Sequence, residues 1–165
     1  MATKKGLIIT IIILAVISGA SFVVWVLPQN RGSSFVVSDY KSELDSVKER
    51  HSLIVADMES NLNGLLDKTV SPDNFTSQAQ ISSSQITSLI TEVVESNPPA
   101  EWKHSYGAYY ESLKKYNDYL AETISLANKI KGEASSSDIS DEMSKLDSLK
   151  KESDSLASES NQTRP

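Results

Sequence analysis

The stretch EWKHSYGAYYESLKKYNDYLAETISLANKIK, Glu101 to Lys131, decides the fold. Trp102, Tyr106, Tyr109, Leu113, Tyr116, Leu120, Ile124 and Ala127 recur every three or four residues, so a helix lines them along one face. Asn97-Pro98-Pro99 ahead of the stretch punctuates a helix start, and Gly132 behind it marks a stop. The spacing predicts a helix from about Pro99 to Lys131, and an apolar face of that length needs neighbours to cover it.

The neighbours are readable on both sides. Upstream, Tyr40, Leu44, Val47, His51, Ile54, Met58 and Leu65 form a heptad-like seam on a helix capped by Ser38 and ending near Lys68. Val55, Leu62 and Leu66 broaden it into a bundle stripe. Ser71-Pro72-Asp73 then opens a second helix to about Ser96, striped by Phe75, Ala79, Ile86, Leu89, Ile90, Val93 and Val94 and weakened at Ser82-Ser83-Ser84. Downstream, Ile139, Met143, Leu146, Leu149 and Leu156 make a sparse stripe on a serine-rich helix from Asp138 to Ser158. Ser160 to Pro165 are expected to be disordered. SDYKSELDSVK from Ser38 and SDEMSKLDSLK from Ser140 agree at seven of eleven positions, which convergence of two serine-rich amphipathic helices explains better than duplication.

Short connections favour antiparallel neighbours, so residues 38–132 are expected to form the core of an up-and-down bundle, with 133–159 as a weaker fourth helix. The seams of the first and third helices could also pair between copies, which keeps a homo-oligomer open beside a closed three- or four-helix bundle.

Ahead of the bundle, Gly6 to Leu27 carries no charged side chain over 22 residues. At about 1.5 Å per residue this run reaches roughly 33 Å, enough for a hydrocarbon core of about 30 Å. Apolarity resumes after Ser18-Gly19-Ala20, as Phe22-Val23-Val24-Trp25-Val26-Leu27, where a cleaved signal would hand over to a polar chain. Residues 7–27 are therefore expected to stay as a transmembrane signal anchor, with 1–6 a cytoplasmic tail and 28–37 a linker. Cleavage before Ser21 is the alternative. Lys4 and Lys5 precede the run and only Arg31 follows closely, so the long side is expected outside the cell membrane. A tail this short would leave any signal to pass laterally through another membrane protein.

Lys4 and Lys5 are the only charges among the first 30 residues, which leaves residues 31–165 with 14 basic and 22 acidic groups, a formal charge of −8. Such a surface repels nucleic acid. There is no cysteine, hence no disulfide framework and no thiolate metal site. Two histidines and six scattered glycines supply no phosphate loop, nucleophile elbow or HExxH helix, so no enzyme activity and no cofactor is expected.

The residues that invite a chemical reading are few. His51 on the first seam, with Met58 two turns on, could hold a soft metal or act as a pH-sensitive core group. A partly buried histidine at a bundle edge is the plainer reading. Glu101 and His104 have the Glu-x-x-His spacing of di-iron bundles, but only one such pair is present. Tyr110 and Tyr119 flank the aromatic seam and, with Trp102, mark a candidate partner surface, although the filling of a small core is the plainer reading of these aromatics. Asn74-Phe75-Thr76 and Asn161-Gln162-Thr163 are glycosylation sequons, of which Asn161 is the better acceptor because Phe75 reads as core.

The start KKGLI and the segment NPPAEWKHSYGAYYESLKKYNDYL resemble single-pass surface proteins of archaea. Lys4-Lys5-Gly6 before Leu7-Ile8 is also similar to the class III signal of archaeal pilin-like proteins, which implies cleavage before Leu7 and filament assembly. The first resemblance implies location and an all-α fold and transfers no site residue, whereas the helical ectodomain departs from the usual pilin head, which is rich in strands. The functional expectation is a membrane-anchored, non-catalytic interaction module or accessory subunit, with a bundle binding a small ligand or metal as the alternative.

Overall fold

The structure is a computed structural model that describes residues 39–165. The expected tail, transmembrane span and linker, residues 1–37, lie outside the described residues. Among the described residues no helix is long and apolar enough to cross a membrane. Four helices make up the described chain: α1 Tyr40–Leu66, α2 Pro72–Glu95, α3 Lys103–Lys131 and α4 Ser136–Gln162.

Each start has a chemical reason. Asp39 caps α1, its carboxylate accepting from Lys41 N and Ser42 N at 3.0 and 3.1 Å. The cap is thus one residue later than Ser38, and it is anionic, as the positive end of a helix favours. Ser71 caps α2, with Pro72 in the first turn. Ser135 caps α4 by accepting from Asp138 N. Only α3 lacks a side-chain cap; Pro99 to Trp102 forms a turn closed by Trp102 N donating to Pro99 O, so regular helix begins at Lys103, later than expected.

The stops are equally local. α1 ends with Lys68 at φ 61°, and Thr69 N and Val70 N both donate to Gly64 O. A Cβ on Gly64 would meet Val70 Cγ2 at 2.7 Å, so the returning chain requires glycine there. α3 ends at Gly132, followed by Glu133 at φ 54°.

Cross-helix pairs fix the topology. Arg50–Glu92 ties the middle of α1 to the end of α2, Asp73–Lys131 the start of α2 to the end of α3, and His104–Glu159 the start of α3 to the end of α4. Each sequential pair is antiparallel. Asp45–Arg164 and Glu59–Lys150 close the ring by setting α1 antiparallel to α4. The fold is an up-and-down four-helix bundle closed within one chain, with α1 and α3 parallel across its diagonal.

The core is the aromatic face of α3, with Tyr109, Leu113, Tyr116 and Leu120 met by Leu44, Val47, Met58 and Leu65 of α1 and by Phe75 and Ile86 of α2. Leu66 and Val94 depart from their expected stripes and are exposed, because α1 and α2 turn only one narrow seam inward.

α4 packs by a different device. Its buried seam is Leu146, Ser153 and Ser160, seven residues apart, facing Ser105 and Ser112 of α3. Ser112 Oγ donates to Ser153 O and Ser153 Oγ to Ser112 O, both at 2.9 Å, and Ser105 Oγ donates to Ser160 O at 2.7 Å. Small side chains let the two backbones approach, and each hydroxyl is satisfied on the facing helix. The expectation of disorder from Ser160 is therefore corrected: helix continues to Gln162, Ser160 is fully buried, and Arg164 pairs with Asp45 at 2.5 Å.

Candidate functional site

α1 and α4 meet less closely than α3 and α4, and between them opens a cleft of about 440 Å³ floored by Tyr109. His51 projects into it from the buried seam of α1, only 7% exposed. Its Nδ1 lies 2.8 Å from Tyr109 Oη, and its ring stands edge-on to Tyr109 and Tyr116, with centroids at 5.8 and 4.8 Å. Nε2 has no hydrogen-bond partner among the described residues, and neither has Tyr116 Oη. Burial first, and then the positive Lys150, lower the His51 pKa to about 4, so the imidazole is neutral at physiological pH.

The hydroxyl accounting assigns the tautomer. Tyr109 Oη belongs to a buried side chain and meets only His51 Nδ1 among the described residues, which offer its proton no other acceptor. Tyr109 therefore donates to Nδ1, and Nε2 carries the ring proton. Burial raises the Tyr109 and Tyr116 pKa values well above the usual phenol, so both hydroxyls keep their protons.

Lys48 stands one turn before His51 and on the same face. Its Nζ donates to Ser160 Oγ at 2.9 Å and to Asn161 Oδ1 at 2.7 Å, and sits 4.9 Å above the Tyr109 ring. No carboxylate lies within ion-pair distance of it among the described residues. Burial, with Arg164 nearby, lowers its pKa to about 8.

The residues singled out by sequence are dispersed. Met58 is fully buried in the core and does not line the cleft with His51. Glu101 lies in the turn before α3, while His104 pairs with Glu159 on α4 at 3.0 Å, so the Glu-x-x-His spacing is not assembled on one helical face. Among the described residues no group of three or more histidine or acidic side chains is placed to hold a metal.

Tyr119 is corrected from a surface to a core residue: it is buried, stacked on Tyr116 at 5.2 Å, and burial pushes its pKa up to about 12. Trp102 and Tyr110 remain half-buried. Trp102 stands edge-on to Tyr106, and Tyr110 borders a hollow of about 200 Å³ with Val94 and Pro98. Asn74 is exposed in the first turn of α2 beside the fully buried Phe75. Asn161, at the end of α4, is engaged by Lys48.

Two features were missed from sequence. Lys48 carried no signal, because what distinguishes it is the facing end of α4. Glu142 is fully buried, with its carboxylate held by Lys129, and Lys145 Nζ at 3.6 Å. The Lys129 ammonium on its carboxylate holds the Glu142 carboxyl well below the usual carboxylate range.

Comparison of the chain with protein-family models, with curated proteins and with solved structures finds no match.

Proposed function

We propose that this chain is a membrane-anchored, extracytoplasmic helical module that works through protein contacts and catalyses no reaction. The observation that carries the reading is the 22-residue uncharged run Gly6 to Leu27, flanked by Lys4 and Lys5, directly ahead of an acidic helical domain. The bundle closes within one chain, so its seams are used internally and do not require a second copy for burial. Trp102 and Tyr110, beside the hollow at the junction of α2 and α3, are the contact residues of this reading, since half-buried aromatics supply large, rigid contact area.

The test is the intact mass of the protein extracted from its native membranes, with identification of stoichiometric partners in mild detergent. A chain beginning at residue 1 or 2, with a partner lost on Trp102→Ala together with Tyr110→Ala, is the expected result. A chain beginning at Ser21 would remove the anchor and make the protein a secreted bundle. A start at Leu7 would favour assembly through the apolar helix instead.

A further inference from the structure

We propose that Phe35, followed by Val36 and Val37, docks into the hollow between α2 and α3, so that the chain's own approach to α1 fills it. The inference stands apart from the anchor and goes beyond the partner reading, since it gives the hollow beside Tyr110 an occupant from the same chain.

The hollow has no filling from the bundle. Val93, Val94, Pro98, Tyr106, Gly107 and Tyr110 line a space of about 200 Å³, with Lys103 at its rim. Val94 is 61% exposed there, an apolar side chain left in water. Gly107 lies in the second turn of α3, where glycine lowers helix stability relative to alanine. A Cβ on Gly107 would meet nothing within 4 Å. No neighbour within the bundle calls for glycine at this position, and its missing side chain is what deepens the hollow.

Reach selects the occupant. The described chain enters the bundle at Asp39, and the next residue, Tyr40, stands edge-on to Tyr106 with ring centroids 6.1 Å apart. Tyr106 Oη also donates to Tyr40 O at 2.8 Å. Tyr106 is thus both a wall of the hollow and the neighbour of the chain's entry. The four residues from Phe35 to Ser38 can extend over about 14 Å, more than the width of one helix. In the run Gln29-Asn30-Arg31-Gly32-Ser33-Ser34-Phe35-Val36-Val37-Ser38 the apolar residues are the three before Ser38, and they carry no charge. An aromatic ring set between Val94 and Tyr110 removes apolar surface from water on both sides, and the tether keeps its effective concentration high.

The chain has no cysteine, so introduced pairs report the contact cleanly. Ser34→Cys is combined with Lys103→Cys at the rim of the hollow or, as control, with Gln162→Cys, exposed at the end of α4 that lies beside the start of α1. Each disulfide is equilibrated against glutathione in the full-length protein in mild detergent, which gives the effective concentration of the two thiols. The pair at Lys103 is expected to exceed the pair at Gln162 by about tenfold or more, and Phe35→Ser or Gly107→Leu, added singly, to bring it down to the control. Phe35→Ser changes no residue of the bundle and Gly107→Leu points into open space, so both variants keep the fold. Equal effective concentrations at the two positions overturn the proposal, as does an excess that survives either variant. A disulfide that forms only between chains would give the hollow to a second copy and overturn it too.

Discussion

His51 Nδ1 and Tyr109 Oη lie 2.8 Å apart across the diagonal of the bundle, joining two parallel helices whose other polar tie among the described residues is Tyr106 Oη donating to Tyr40 O at 2.8 Å and to Glu43 at 3.2 Å. The histidine is held neutral, with its pKa near 4 against about 6.5 when unfolded. The unfolded chain therefore binds more protons than the folded one between these values. The His51 contribution is complete above about pH 6.5 and is lost as pH drops toward 4, by up to about 3 kcal/mol. Urea unfolding at pH 7.5 and pH 4.5 should show this loss, and His51→Asn should remove most of the slope across that window. An unchanged slope would mean that His51 does not titrate with the fold.

Tyr116 Oη is buried without a partner among the described residues, its ring edge-on to the same imidazole. Tyr116→Phe deletes an unsatisfied hydroxyl and keeps the ring, so it should raise stability by about 1 kcal/mol. Denaturant midpoints at constant m-value decide it. A loss would show that the hydroxyl has a bound partner in the folded protein.

Glu142 and Lys129 are unequal partners. The carboxylate is fully buried while the lysine reaches solvent, so removing the lysine strands a charge and removing the carboxylate does not. Lys129→Met should cost about 2–3 kcal/mol, moderated by Lys145 at 3.6 Å, and Glu142→Gln about 1 kcal/mol. Glu142 also titrates below its unfolded value, so its contribution is present above about pH 4.5 and lost as pH falls toward 2. Equal costs for the two variants would contradict the burial asymmetry.

Ser112 and Ser153 bond each other's backbone carbonyls. Either serine to alanine should cost about 1 kcal/mol, and the double variant less than the sum, because the two hydroxyls also lie 3.2 Å apart and share that contact. Ser112→Leu should cost about 3 kcal/mol, since added volume must part α3 from α4. A fully additive double-mutant cycle would argue that the two hydroxyls act separately.

Gly64 and Lys68 make opposite demands at the end of α1. Gly64→Ala should destabilise by more than about 1 kcal/mol despite the better helix propensity of alanine, since its Cβ would strike Val70. Lys68→Gly should stabilise by about 1 kcal/mol, because φ 61° is strained for lysine. Thermal unfolding of the two variants should move in opposite directions.

Much of this was legible because it was local. Ser71-Pro72 and Gly132 announce their boundaries through backbone chemistry that operates within one turn, and the α3 seam repeats over about six turns from Tyr106 to Ala127. The end of α4 was not legible. Ser153 and Ser160 read as surface residues on a polar strand of sequence, yet they are buried because Ser105 and Ser112 stand opposite them at the same seven-residue interval. Close approach of two helices through hydroxyls looks, in either helix alone, like solvation. Lys48 and Glu142 failed for the same reason: a charge acquires its meaning from the helix across from it. Tyr119 shows the converse error, since its angular offset from the seam suggested exposure, but the tightly apposed α3 and α4 bury a wider arc of α3 than one stripe.

An even number of antiparallel helices returns the chain to the end from which it set out, as Asp45–Arg164 and Lys48–Asn161 record. A pull between residue 39 and residue 162 would therefore load α1 and α4 at one end of their shared seam and part them turn by turn, rather than sliding them past each other. That seam is the one hollowed by the cleft, and its ties at that end are an ion pair and a few hydrogen bonds. Tension on the termini would open the α1–α4 face first, while α3 and α4, locked by reciprocal hydroxyls, would hold longest.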